Sequence, residues 1–208
     1  MPKNITIMVY CCKSSVYYTK GLDKNMVYIF LADGFEEIEA LTPADLLRRA
    51  GVEVALAGVT GDVVTGAHGI KVVTDISAED AADKICSPAG AEMIVLPGGL
   101  PGADNLDASD AVSRSIVAMK DSGGFIAAIC AAPYILGKRG LLEGRMATCY
   151  PGFEDRLTGA EVYDCDVIRD GEIITGRAMG SATEFALELV EALKGEDAAE
   201  RLRDAVIA

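Results

Sequence analysis

The chain has 208 residues, half of them apolar, and no tryptophan; this length suits one domain with a substantial core. Its formal charge is −13, residues 26–208 alone hold 15 basic and 31 acidic side chains, and no local basic patch interrupts them, which argues against nucleic acid or an anionic membrane as a partner. No apolar run reaches the length of a membrane span. The six cysteines (Cys11, Cys12, Cys86, Cys130, Cys149 and Cys165) contain no C-x-x-C pair, and the lone His68 leaves little for a zinc site. A domain of this size needs no disulfide staples, so reduced thiols in a cytoplasm are expected.

The segment Ile5–Cys12 is apolar but short, and no small-residue cleavage site follows it, against a secretory leader. Met26 opens a strand directly and reads as a natural start, which makes residues 1–25 an appendage to a 26–208 domain. Met26–Ala32 reads as a buried strand, Ile38–Ala50 as a helix ending at Gly51, and Val52–Ala57 as a second strand. Val63–Thr65 and Ile70–Thr74 read as short strands around a glycine-containing turn. Ala91–Leu96 is an apolar strand closed by Pro97-Gly98-Gly99, and Asp110–Lys120 is a helix that stops before Gly123-Gly124. Phe125–Ile129 is another apolar strand, Ala131–Lys138 a helix and Met146–Thr148 a short strand.

Val162–Arg169 and Glu172–Thr175 flank Asp170-Gly171, a hairpin signal. Ser181-Ala-Thr-Glu184 reads as a capping box ahead of the apolar face Phe185, Leu187, Leu189, Val190 and Leu193. Gly195 ends that helix, and Glu196–Val206 forms the last. Continuous apolar strands alternating with helices predict an α/β fold whose mainly parallel sheet is covered on both faces.

Ligands of such sheets bind at the carboxyl ends of the strands. Gly34–Glu39, Pro97-Gly98-Gly99 and Ile129-Cys130-Ala131 all fall there. Ala128 and Ala132 flank Cys130 at −2 and +2, where small residues suit a sharp nucleophile elbow. Pro133 is tolerated in the first turn of the following helix. The helix dipole and its free N–H groups, Ala131 among them, are expected to lower the thiol pKa, and the backbone at Cys130 is expected to be strained. A buried, inert cysteine satisfies the local sequence equally well. Gly98 and Gly99 let backbone N–H groups approach a substrate oxygen or an oxidised sulfur, although a simple turn explains them too. Glu36, Glu37 and Glu39 begin a helix, where carboxylates are favoured. Pro43 has no N–H for the Glu39 carbonyl, so a kink or irregular start is expected to turn Glu39 into the cleft. A carboxyl buried beside a thiolate has a raised pKa and can move protons.

The segments LADGFEEIEALTPADLLRRAG, VLPGG and IAAICAAPYIL, in this order and spacing, resemble the ThiJ/PfpI superfamily, in its DJ-one-like branch. The resemblance covers about residues 26–208. It implies a flavodoxin-like sandwich, usually a homodimer. It makes Cys130 the reactive cysteine, Glu39 the buried glutamate bonded to its sulfur, and Gly98 and Gly99 the oxyanion donors. It implies a cofactor-independent glyoxalase or deglycase acting on a small reactive aldehyde such as methylglyoxal, with no metal. The alternatives it carries are an oxidative-stress sensor whose Cys130 becomes a sulfinic acid, and a redox chaperone. The sequence departs from the family at Thr148-Cys149-Tyr150-Pro151, where Tyr150 stands in the place of a histidine. Peptidase and amidotransferase chemistry, which needs that base, is therefore not expected. His68, in Gly66-Ala67-His68-Gly69, reads as an exposed loop residue far from the matching position. Cys149 is an accessory candidate, as a resolving thiol or a plain strand residue.

Overall fold

The apolar run that opens at Met26 becomes β1 (Met26–Leu31), which lies inside a sheet rather than at its edge. The structure, a computed structural model, describes residues 26–208; the expectations for residues 1–25 and for Cys11 and Cys12 lie outside the described residues. After β1 come α1 (Glu37–Arg49), β2 (Glu53–Gly58), β3 (Val63–Thr65), β4 (Lys71–Val73), β5 (Ile76–Ser77), α2 (Ala78–Ile85), β6 (Met93–Leu96), α3 (Gly102–Ala108) and α4 (Asp110–Ser122). The second half holds β7 (Phe125–Ile129), α5 (Pro133–Lys138), β8 (Met146–Ala147), β9 (Glu161–Val162), β10 (Val167–Asp170), β11 (Ile173–Gly176), α6 (Ala182–Lys194) and α7 (Glu196–Val206).

The main sheet has seven strands in the order β10-β11-β7-β6-β1-β2-β5. All its pairings are parallel except the β10–β11 hairpin. Alternation along β1 divides the core. Val27, Ile29 and Leu31 pack with Leu47 of α1 and Phe185 and Val190 of α6. Tyr28 and Phe30 pack with Ile116 of α4 and Ile135 of α5. Each fully buried large side chain contributes about 1.5–3 kcal/mol, and both faces of the sheet are covered, as the uninterrupted apolar strands predict. The result is the expected α/β sandwich.

Several local expectations are corrected. α1 stays helical through Pro43, so no break turns Glu39 inward. Glu39 is buried because it shares a helical face with Ala40, Pro43, Ala44 and Leu47. The capping box at Ser181 does not form. The Ser181 hydroxyl instead donates to the Ala178 carbonyl at 2.9 Å and accepts from the Ala178 N–H at 3.2 Å, and Glu184 pairs bidentately with Arg203 of α7 at 2.6 Å. A charge-assisted fork is stronger than a neutral cap bond. The stretch 162–169 is two strands rather than one: β9 joins β8 in a separate pair, and β10 joins the main sheet. α2 and α3 were not anticipated. The start of α2 was nonetheless marked, since Ser77 accepts from the Asp80 N–H as an N-cap.

Candidate functional site

β1 and β6 are neighbours, yet the chain leaves them in opposite directions across the sheet, β1 toward β2 and β6 toward β7. Loops after such strands diverge and leave a crevice. Here the crevice is drawn together by the Glu36 N–H, which donates to the Gly98 carbonyl at 2.9 Å. The loop after β7 brings in Cys130.

Cys130 has φ of 64°, the left-handed region that non-glycine residues rarely occupy. Such strain costs on the order of 1–3 kcal/mol and persists where neighbours over-determine it. The neighbours are identifiable. The Cys130 N–H donates to the Gly176 carbonyl at the end of β11, and the Cys130 carbonyl accepts from the Tyr150 N–H, both at 2.9 Å. The backbone strain expected from the small flanking residues is therefore present. The thiol is in turn approached by the Gly99 and Ala131 amides.

Glu39 is fully buried. Its Oε2 accepts from the Gly98 N–H at 2.9 Å, and its Oε1 has no hydrogen-bond partner of its own. The carboxyl meets the Cys130 thiol. Gly98 has to be glycine: a Cβ there would lie 2.7 Å from both Cys130 Cβ and Glu39 Oε2. The same holds at Gly99, with φ of 82° and a Cβ position 2.5 Å from the Glu36 nitrogen. One expectation changes. The Gly98 N–H is committed to Glu39 rather than to a substrate oxygen, while the Gly99 and Ala131 amides approach the Cys130 sulfur.

Burial pushes the Glu39 carboxyl up to about 7, helped by the Glu36 charge and opposed by the bonds to Cys130 and Gly98. Burial also pushes the Cys130 thiol up to about 12, reinforced by the charge and hydrogen bond of Glu39 and opposed by the Gly99 and Ala131 amides. The expected lowering of the thiol pKa is thus overturned: desolvation and a carboxylate neighbour outweigh two amides. α5 begins only at Pro133, which removes the thiol from the first helical turn, where the dipole acts. Between about 7 and about 12 the two groups hold one negative charge between them. Ionised Glu39 keeps the thiol protonated. When the proton crosses to the carboxylate, the thiolate faces a neutral carboxyl and two N–H groups.

Tyr150 is joined to this turn through its backbone, and its half-exposed ring packs edge-on against Phe153 at 6.4 Å between centroids. Cys149 is buried in the core layer of Tyr28 and Phe30, while Cys130 packs on the opposite layer. Burial and the Glu154 charge push the Cys149 thiol up to about 11 against the opposing charge of Arg177. Cys149 is thus a buried core residue.

His68 is exposed, as expected, and packs on the start of α1. Glu37 is buried beneath it and accepts from the backbone N–H groups of His68 at 2.9 Å and Ile70 at 3.3 Å. The His68 Nδ1 lies 3.0 Å from Glu37 Oε2 and 3.6 Å from Glu36 Oε2. The separation of 31 residues between Glu37 and His68 hides this contact from any local pattern. Among the described residues this is the one group with three potential metal-donor atoms within 4.8 Å, and its Glu37 is hydrogen-bonded to the His68 ring and backbone. No helix of the described residues is long and apolar enough to cross a membrane.

The chain has relatives among known proteins. Protein dj-1beta of Drosophila melanogaster is 39% identical over 173 residues, covering 81% of this chain and 89% of that protein. Glutathione-independent glyoxalase DJR-1.2 of Caenorhabditis elegans is 32% identical, covering 84% and 91%. Deglycase PYRAB04690 of Pyrococcus abyssi is 33% identical, covering 81% and 99%. The solved structure of oxidized Toxoplasma gondii DJ-1 superposes with a TM-score of 0.82 at 34% identity, covering 88% of this chain and 97% of that one. Residues 25–192 match the DJ-1/PfpI family as a whole, and the chain belongs to that family.

Proposed function

We propose that the protein is a cysteine-dependent, cofactor-independent glyoxalase or deglycase acting on small 2-oxoaldehydes such as methylglyoxal. One observation carries the reading: a strained, amide-flanked thiol touches a buried carboxyl whose pKa is pushed up to about 7. A group titrating near neutral pH is matched to proton transfer in both directions. Relatives named as a glyoxalase and a deglycase support it.

The Cys130 sulfur attacks the aldehyde carbon, forming a C–S bond, while Glu39 takes the thiol proton and passes it to the aldehyde oxygen. The product is a hemithioacetal. The Gly99 and Ala131 amides, which already face the sulfur, are placed to stabilise developing negative charge on the adjacent oxygen. Glu39, ionised again, removes the proton on the former aldehyde carbon and returns a proton to the neighbouring ketone carbon. The hydroxyl proton of the first carbon passes to the oxygen of the second as electrons move from the first carbon to the second, leaving a thioester of a 2-hydroxy acid. Water cleaves the C–S bond, releases the acid and restores the thiol. The sum is aldehyde plus water, with no external oxidant or reductant. Tyr150 cannot act as the base that peptidases and amidotransferases take from a histidine.

The proposal includes a homodimer in a reducing cytoplasm. Ile38 and Ile70 are exposed apolar side chains beside Glu37, which holds their two segments together, and the described cysteines are free thiols. Sedimentation of the purified protein at twice the monomer mass supports the dimer, and a monomer rejects it.

The enzyme reading is tested by methylglyoxal consumption and lactate release in the wild type, Cys130→Ser and Glu39→Gln. Loss of turnover in both variants is expected, and wild-type turnover no greater than that of Cys130→Ser rejects it. A second reading is a redox sensor in which Cys130 becomes a sulfinic acid. It is favoured by the same two amides, by a Glu39 that can donate to a new oxygen, and by the relative solved in oxidized form. Intact mass after mild peroxide decides it: no added oxygen on Cys130 removes the sensor.

A further inference from the structure

Sequence resemblance places the missing histidine of the Cys130 site at Tyr150, whose N–H donates to the Cys130 carbonyl. The one imidazole of the chain stands on the turn between β3 and β4. The hairpin is tied to the start of α1 by the Ala67 N–H, which donates to the Phe35 carbonyl at 2.7 Å, and by the two amides that converge on Glu37. Gly66 makes the approach possible, since a Cβ there would lie 2.3 Å from the Glu37 carboxyl. These contacts leave the His68 ring over the Glu36 and Glu37 carboxylates.

Glu36 is the link to the chemistry. Its backbone N–H holds the Gly98 carbonyl, and the Gly98 N–H holds Glu39. Its side chain is only 15% exposed, so water screens its charge poorly. We propose that His68 is a positioning residue of the Cys130 site, which neutralises the Glu36 carboxylate from the β3–β4 hairpin and thereby sets the charge shared by Glu39 and Cys130. The inference rests on the pairing of Glu39 with Cys130 and not on any particular substrate.

The charged groups involved are few. Glu39 faces Cys130 and the Gly98 amide, and it feels the Glu36 charge, which raises its pKa. His68 faces Glu37 and Glu36, and both hold its pKa above the ordinary value, the Glu37 hydrogen bond most. Glu37 is satisfied by backbone amides and is held below the ordinary carboxylate range by its bonds to His68 and Ile70, although burial acts against them. A cationic His68 therefore offsets Glu36, and removing it leaves Glu36 to oppose the ionisation of Glu39 in full. The sign is fixed. Loss of His68 moves the lower apparent pKa of the pair up, and loss of Glu36 moves it down.

The test is the pH profile of Cys130 alkylation by iodoacetamide, followed by intact mass, with the Glu39 carboxyl C=O infrared band as a second reading. Neither needs turnover. At pH 6, His68→Gln is expected to slow alkylation roughly threefold, and Glu36→Gln to speed it by a similar factor. His68→Lys keeps a positive charge and restores the wild-type profile, with unchanged thermal melting as the check on folding. In the Glu36→Gln background, His68→Gln has no further effect, because the imidazole acts through Glu36. The proposal is overturned if His68→Gln leaves the profile in place, or shifts it equally with and without Glu36. Shifted profiles in a protein that does not consume methylglyoxal uphold this inference and reject the glyoxalase; intact turnover with an unmoved profile does the reverse.

Discussion

The turn at Cys130 and the segment around Cys149 are joined by one hydrogen bond, from the Tyr150 N–H to the Cys130 carbonyl, yet they treat a thiol in opposite ways. Both thiols are pushed up by burial, to about 12 and about 11. Cys130 has a left-handed backbone, two amides and a carboxyl at its sulfur. Cys149 has core packing around it and charges acting from Glu154 and Arg177. Depth alone does not make a thiol inert or reactive; what matters is whether a proton acceptor and hydrogen-bond donors are buried with it.

The largest effect should come from removing one thiol against the other. Cys130→Ser is expected to lower kcat for methylglyoxal by more than about 10³-fold, because the nucleophile of a concerted unit is lost. Cys149→Ser should leave kcat within about twofold, as expected of a surface-remote core change. Equal losses in the two variants would erase the distinction.

Glu39 gives the next effect, in stability against pH. Its folded pKa of about 7 lies above the ordinary glutamate value of 4.5. The folded state therefore keeps a proton that the unfolded chain releases, and this contribution to stability falls as pH rises from 4.5 to 7, then levels off. Glu39→Gln removes the dependence. Wild type should lose about 3 kcal/mol relative to that variant across this window, measured by urea unfolding at pH 4.5 and pH 8. A constant difference between the two proteins contradicts a buried, proton-holding Glu39.

Glycines on either side of the comparison sharpen it further. Gly98→Ala forces a Cβ to within 2.7 Å of Cys130 Cβ and Glu39 Oε2, and should cost about 10²-fold in kcat/KM through misplacement of the pair. Gly152 has φ of 94° but nothing within 4 Å of an added Cβ. Gly152→Ala should cost only about 1 kcal/mol of stability, from its backbone conformation, with kcat unchanged. Activity assays and thermal melts of the two variants side by side check both.

Much of this was legible in the residues themselves. β1, β6 and β7 are uninterrupted apolar runs, which only a sheet buried on both faces requires. Ala128 and Ala132 around Cys130 announced a tight turn, and the left-handed backbone is there. Asp170-Gly171 announced the β10–β11 hairpin. Glu39 is carried inward to Gly98 by the helical face it shares with Ala40, Ala44 and Leu47, without the kink at Pro43 that the sequence predicts.

What tertiary structure alone decided is where hydrogen bonds and solvent end up. Glu184 leaves its expected cap for an Arg203 on the next helix. The Gly98 N–H goes to Glu39 instead of a substrate oxygen. The Cys130 thiol is pushed up rather than down, because burial depends on everything packed around it and not on its neighbours in the chain. His68 reaches Glu36 and Glu37 across more than thirty residues. Local sequence sets backbone conformation and the alternation of faces, through sterics and periodicity. The partner of each buried polar group, and so the charge at Cys130, follows only from the folding of distant segments against one another.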